Sequence, residues 1–148
     1  MTDPSSKINF YFPHGFRLPA RKKLKSFIRL VFRNEAVWPG ELSFVFCDDQ
    51  YLFKLNRKFL KHDFYTDVLS FPLSAKGSKK ASGEVYISVE RVKENARALG
   101  NPFQQEIHRV IFHGVLHFCG HKDKSKNDKA KMRALEDRYL KRYFTRST

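Results

Sequence analysis

Two cysteines in 148 residues are too few for a disulfide framework. Cys47 lies in SFVFC and Cys119 in LHFCG, apolar settings that suit a reduced, buried thiol, so no disulfide is expected. No uninterrupted apolar run approaches the roughly 18 residues that a membrane span requires. The opening residues MTDPSSKINFYFPHGF have neither a basic leader followed by an apolar segment nor a small-residue cleavage site. No secretory signal is expected, and the cytoplasm is the expected location. Internal repeats and low-complexity tracts are also missing, which predicts one domain over residues 1–148.

Acidic residues are scarce, with 15 Asp and Glu against 29 Lys and Arg and a net charge of +14. Such a surplus raises the local concentration of polyanions, so nucleic acid is the first partner to expect, although a solvated basic surface would give the same count. The charge is grouped at RKKLK (21–25), KLNRKFLK (54–61) and KGSKK (76–80). From Lys122 to the C-terminus ten Lys or Arg face four acids. Apolar residues still make up 41% of the chain and aromatic residues 15%, enough for a core without a structural metal.

The periodicities predict α+β or α/β architecture around a small mixed sheet, with about four strands and five helices. Strands are expected at 8–12, 42–47, 66–71 and 83–88, the third closed by Pro72 and followed by a polar loop. An amphipathic helix is expected over 18–35, with Leu24, Phe27, Ile28 and Val31 inward. Asp48 or Asp49 should cap a short helix to Lys58 with Tyr51, Leu52 and Leu55 inward. Ser88 should cap a helix ending at Gly100. Asn101 as cap, Pro102 in the first turn and Gln104 reaching back announce the next helix, which should stop at Gly120. A last helix over 128–144 carries Met132, Leu135, Tyr139 and Tyr143 on one side.

The helix before Gly120 holds the chemistry. At about 100° per residue, His113 and His117 share one stripe, with Glu106 on the same stripe two turns earlier. The surrounding Ile111, Phe112, Val115 and Leu116 make this a core helix, where an imidazole without a partner is costly. Two histidines at i and i+4, then a glycine turn and a further ligand, suit a transition metal better than two separately satisfied side chains. The order is H-x-x-x-H-x-x-G-x-x-D. Cys119 points nearly opposite His117, and His121 joins the stripe only if the helix runs on through Gly120. Asp123 is therefore the preferred third ligand. Two histidines and one carboxylate leave room for water, as a catalytic site requires.

These segments resemble the YbeY-type endoribonucleases. LNRKFLKHDFYTDVLSFP is similar to the stretch leading into that family's T-D-V-L-S-F-P strand, GEVYIS to its G-D-I-x-I-S strand, and EIHRVIFHGVLHFCGHKD to its H-G-x-L-H-L-x-G-x-D-H signature. The likeness runs from about Phe44 to Leu140. It implies a zincin-like α+β fold and a single-strand-specific, metal-dependent endoribonuclease holding one zinc ion. It further implies that ribosomal RNA, with its 16S 3′ end, and the ribosomal subunits are partners, and that the role lies in rRNA maturation and ribosome quality control. At the position of the family's third ligand, a histidine, this chain has Asp123. Where the family has an arginine serving RNA binding or catalysis, it has Leu60, so Arg57, Lys58 or Lys61 is the expected replacement, unless these are solvated helix-end charges.

The aspartate lowers the charge of a zinc site to +1 from the +2 expected with three histidines, so bound water should be less acidic and phosphate less attracted. Polarisation of a phosphoryl oxygen or activation of a water would cleave the phosphodiester while Lys and Arg hold the backbone. No general base is evident, and Glu106 is expected as a partner behind the ligands or as a cap-region surface charge. Two other functions share these features. A zinc protease would carry glutamate directly after the first histidine, where this chain has Gly114. A non-catalytic, RNA-binding assembly factor with structural zinc would be equally basic.

Overall fold

The computed structural model describes residues 6–62, 64–75 and 77–145. Within them lie strands β1 (Lys7–Tyr11), β2 (Trp38–Cys47), β3 (Val68–Pro72) and β4 (Lys80–Ser88). The helices are α1 (Arg21–Asn34), α2 (Asp49–Leu60), α3 (Val89–Leu99), α4 (Phe103–Phe118) and α5 (Lys126–Thr145). The chain is α+β: one mixed sheet in the order β1-β2-β4-β3, with β1, β2 and β4 parallel and β3 antiparallel to β4. Part of the N-terminal stretch used for the secretory-signal expectation, residues 1–5, lies outside the described residues.

Sheet and helices meet over one large core. Leu24, Phe27, Ile28, Val31 and Phe32 of α1 are fully buried, as their spacing predicts. They meet Phe44 and Phe46 of β2, Val85 and Ile87 of β4, and Ile107, Ile111 and Phe112 of α4. On the other side, Leu52 of α2 closes a smaller cluster with Cys47 and Leu69. Both cysteines are unpaired. No described helix is long and apolar enough to cross a membrane.

Four local expectations need correction. β2 starts at Trp38 rather than 42, and β4 draws Lys80–Ser82 out of the expected polar loop. The two strands pair from Trp38 with Lys80 across a register shift, and Ser82 Oγ accepts from the Glu41 N–H at 3.0 Å. Polar side chains and Pro39 hid this extension, which is held by backbone pairing rather than by an apolar face. Tyr51 is 46% exposed rather than inward, whereas Leu52 is buried and Leu55 packs partly against the same cluster, as expected, with buried Asn56 completing the inner face of α2. The N-cap of α4 is Pro102 without a side-chain cap, because Asn101 Nδ2 is directed to Glu106 at 3.5 Å. α5 begins at Lys126; its Met132, Tyr139 and Tyr143 are buried and Leu135 packs partly against the core, as expected, with Glu136 buried beside them.

Other signals hold as read. Asp48 accepts from the Tyr51 N–H and Ser88 from the Arg91 N–H. α3 ends at Gly100 with φ 70°, and the chain leaves α4 through Gly120 with φ 99°. These two glycines supply left-handed backbone where a side chain would be strained.

Candidate metal centre

α4 runs through the middle of the molecule, packed on β3, β4, α1, α3 and α5. Its apolar surround leaves one edge open, and His113 and His117 occupy that edge, both half-buried. Their Nε2 atoms face each other at 3.0 Å. After Gly120 the N–H of His121 donates to the Leu116 carbonyl at 3.0 Å, closing the turn and sending the chain back along the helix end. Asp123 then brings Oδ2 to 3.6 Å from His113 Nε2. One ligand atom from each of His113, His117 and Asp123 lies within 4.8 Å of the others.

This set fits a metal ion. Bonds of about 2.0–2.1 Å around a tetrahedral ion put ligand atoms about 3.3 Å apart, and the two separations of 3.0 and 3.6 Å bracket that value. Two imidazoles and a carboxylate are a borderline to hard donor set, matched to zinc and tolerant of manganese or iron. His121 is turned elsewhere: its Nε2 lies 2.6 Å from Glu35 Oε1 at the end of α1, and Tyr139 donates to the other Glu35 oxygen. Cys119 packs partly against the core, where burial pushes its thiol up to about 12.

Behind the candidate ligands stands a carboxylate that periodicity alone left unassigned. Glu136 of α5, 5% exposed, places Oε2 2.6 Å from His113 Nδ1. A carboxylate only accepts, so Nδ1 carries the proton and Nε2 is directed to the cluster. Glu136 Oε1 takes Arg109 Nη1 at 3.3 Å, and Arg109 Nε in turn reaches Glu106 at 3.3 Å. Glu106 is thus neither a surface charge nor a direct partner of the ligands. It is buried three contacts from His113, through Glu136 and Arg109, and balances Arg109. Glu136 left one trace in the sequence, an acid on the stripe of Met132, Tyr139 and Tyr143.

These contacts separate the two histidines electrostatically. Burial works against a charged His113, but the bond and charge of Glu136 outweigh it and hold the ring above its usual value. His117 is held below its usual value by burial and by the neighbouring His113. A further acid, Asp67, lies on the wall of the cleft that His113 and His117 line, and burial raises its carboxyl from its ordinary value.

The cleft extends from the cluster between the loop after α2 and the start of α5. Lys122, Lys124, Lys129 and Arg133 line it, and so does Leu60. Arg57, Lys58 and Lys61 are exposed at the end of α2 but are not among its lining side chains. The basic run from Lys122 onward, visible as composition, therefore delivers the positive wall. A second hollow, lined by Ser70, Ser74, Ser78 and Lys79, opens on the other side of the same histidines.

A position next to His113 bears on peptide hydrolysis. Gly114 is buried against β4, and a Cβ there would meet Val85 Cγ2 at 2.9 Å. The glutamate that zinc peptidases carry after the first histidine has no room here.

Comparison with known proteins follows the same lines. A family model described as Endoribonuclease YbeY matches residues 17–144. A Porphyromonas gingivalis protein named Endoribonuclease YbeY is 44% identical over 137 residues, covering 91% of this chain and 89% of its own length. The protein of the same name from Christiangramia forsetii is 40% identical over 131 residues, covering 88% and 90%. A solution structure from Thermotoga maritima superposes with a TM-score of 0.62 at 25% identity, covering 94% of this chain and 89% of that one.

Proposed function

The chain belongs to the YbeY endoribonuclease family, and we propose that it cleaves RNA at a metal centre formed by His113, His117 and Asp123. The observation that carries this reading is the convergence of those three donors at the open edge of α4, with Glu136 orienting His113 from behind. When bound, the ion supplies Lewis-acid polarisation of a phosphoryl oxygen and a more acidic water. Zinc is the proposed metal, on the strength of the two imidazoles.

The remaining work falls to the chain's own groups. Lys122, Lys124, Lys129 and Arg133 offer charge to the RNA backbone along the cleft. Leu60, in the position of the family arginine, lines that cleft without charge, so the lysines carry the phosphate binding. Arg57, Lys58 and Lys61 add attraction from outside it. Asp67 stands on the same cleft wall as His113. The proposed setting is maturation of ribosomal RNA and ribosome quality control by a single domain in the cytoplasm, a reducing compartment that suits two unpaired cysteines.

Purified protein should cut ribosomal RNA with metal present, and chelator or His113→Ala should abolish cutting. Binding without metal-dependent cleavage would instead identify an assembly factor whose metal only supports the fold. The ends distinguish two routes, since a 2′,3′-cyclic phosphate assigns the attack to the RNA's own 2′-hydroxyl.

A further inference from the structure

The loop after α2 carries an aromatic ledge. The rings of His62 and Phe64 stack with centroids 5.0 Å apart and planes 21° from parallel. His62 is exposed, and Phe64 keeps 55% of its surface open. A phenyl ring left in water forgoes free energy that a flat apolar partner would recover.

The ledge is anchored from beneath. Asn56, only 1% exposed, donates from Nδ2 to the Phe64 carbonyl at 2.9 Å. Its backbone carbonyl accepts from the His62 N–H at 3.3 Å. One buried asparagine therefore fixes both ring-bearing residues. Leu60, His62 and Phe64 line the same cleft as His113, His117 and Asp123, and that cleft also receives the lysines of the segment after Gly120.

Accepting RNA as the substrate, we propose that Phe64 and His62 form a stacking subsite for an unpaired base of the strand whose backbone runs along the lysine-lined cleft to the metal centre. Every base has a π-face, so stacking captures a nucleotide without regard to sequence. A base inside a duplex has both faces covered, so only an unpaired base can occupy the ledge. A protein partner would also cover exposed rings, but the basic cleft beside them and the net charge of +14 favour a polyanion.

The test is equilibrium binding of the metal-loaded protein to a short 2′-O-methylated strand, checked on a gel to be intact after the measurement. Phe64→Ala should bind about tenfold more weakly, with Phe64→Trp near wild type. An abasic site scanned along the strand should, at one position, cost wild type a similar factor and cost Phe64→Ala nothing further. The loss in Phe64→Ala should be the same at low and high salt, because stacking releases no counterions. Unchanged affinity in Phe64→Ala, or abasic losses that add to the mutation at every position, would overturn the subsite and leave the ledge to a protein partner. Chelator-sensitive cleavage dependent on His113 would survive that result, so failure of the subsite and failure of the nuclease reading are distinct.

Discussion

Glu136 Oε2 lies 2.6 Å from His113 Nδ1, so a buried carboxylate on α5 sets which nitrogen of a candidate ligand on α4 faces the cluster. Glu136→Gln keeps the shape and removes the charge. Because partners behind a metal ligand typically govern about 10- to 100-fold in affinity, this variant should bind zinc at least about tenfold more weakly in competition with a chromophoric chelator. Wild-type affinity in Glu136→Gln would contradict the role assigned to this contact.

Gly114 separates the nuclease reading from the peptidase one. Gly114→Glu restores the residue type that a zinc peptidase uses, but it drives a side chain into Val85 and buries a charge between α4 and β4. It should lower unfolding stability by more than about 3 kcal/mol and yield no peptidase activity. Denaturant unfolding and a casein digest check both parts.

Glu35 joins three elements, accepting from His121 beyond α4 and from Tyr139 of α5 at the end of α1. Burial alone would raise its carboxyl, but these bonds hold it below the ordinary 4.5. A folded value below the unfolded one adds stability that is full above the unfolded value and lost as pH falls through the folded one. Glu35→Gln should therefore cost about 1–2 kcal/mol at neutral pH, and the gap to wild type should close as pH falls below about 4.5. A gap that stays constant from neutral to acid pH would show that the carboxylate charge contributes nothing.

Much of this was legible before the fold. The i, i+4 histidines and the glycine turn located the cluster, since helix periodicity and a left-handed exit are local properties of the chain. Capping by Asp48 and Ser88 was legible for the same reason. Glu136 and Asp67 were not assigned, because each acquires its role only when α5 and β3 are brought against α4, over separations of 23 and 46 residues from His113. The early start of β2 was hidden by Pro39 and its polar partners. Arg57, Lys58 and Lys61 flank Leu60 in sequence, which is why they are the expected replacement for the family arginine. In the fold it is the Lys122–Arg133 segment that turns its charge into the cleft.

The central claim is that His113, His117 and Asp123 hold the metal and His121 does not. Metal content measured by mass spectrometry after purification tests it most directly. One equivalent in wild type and in His121→Ala, with loss in His117→Ala and Asp123→Ala, is the expected result. Full occupancy in Asp123→Ala together with loss in His121→Ala would contradict it.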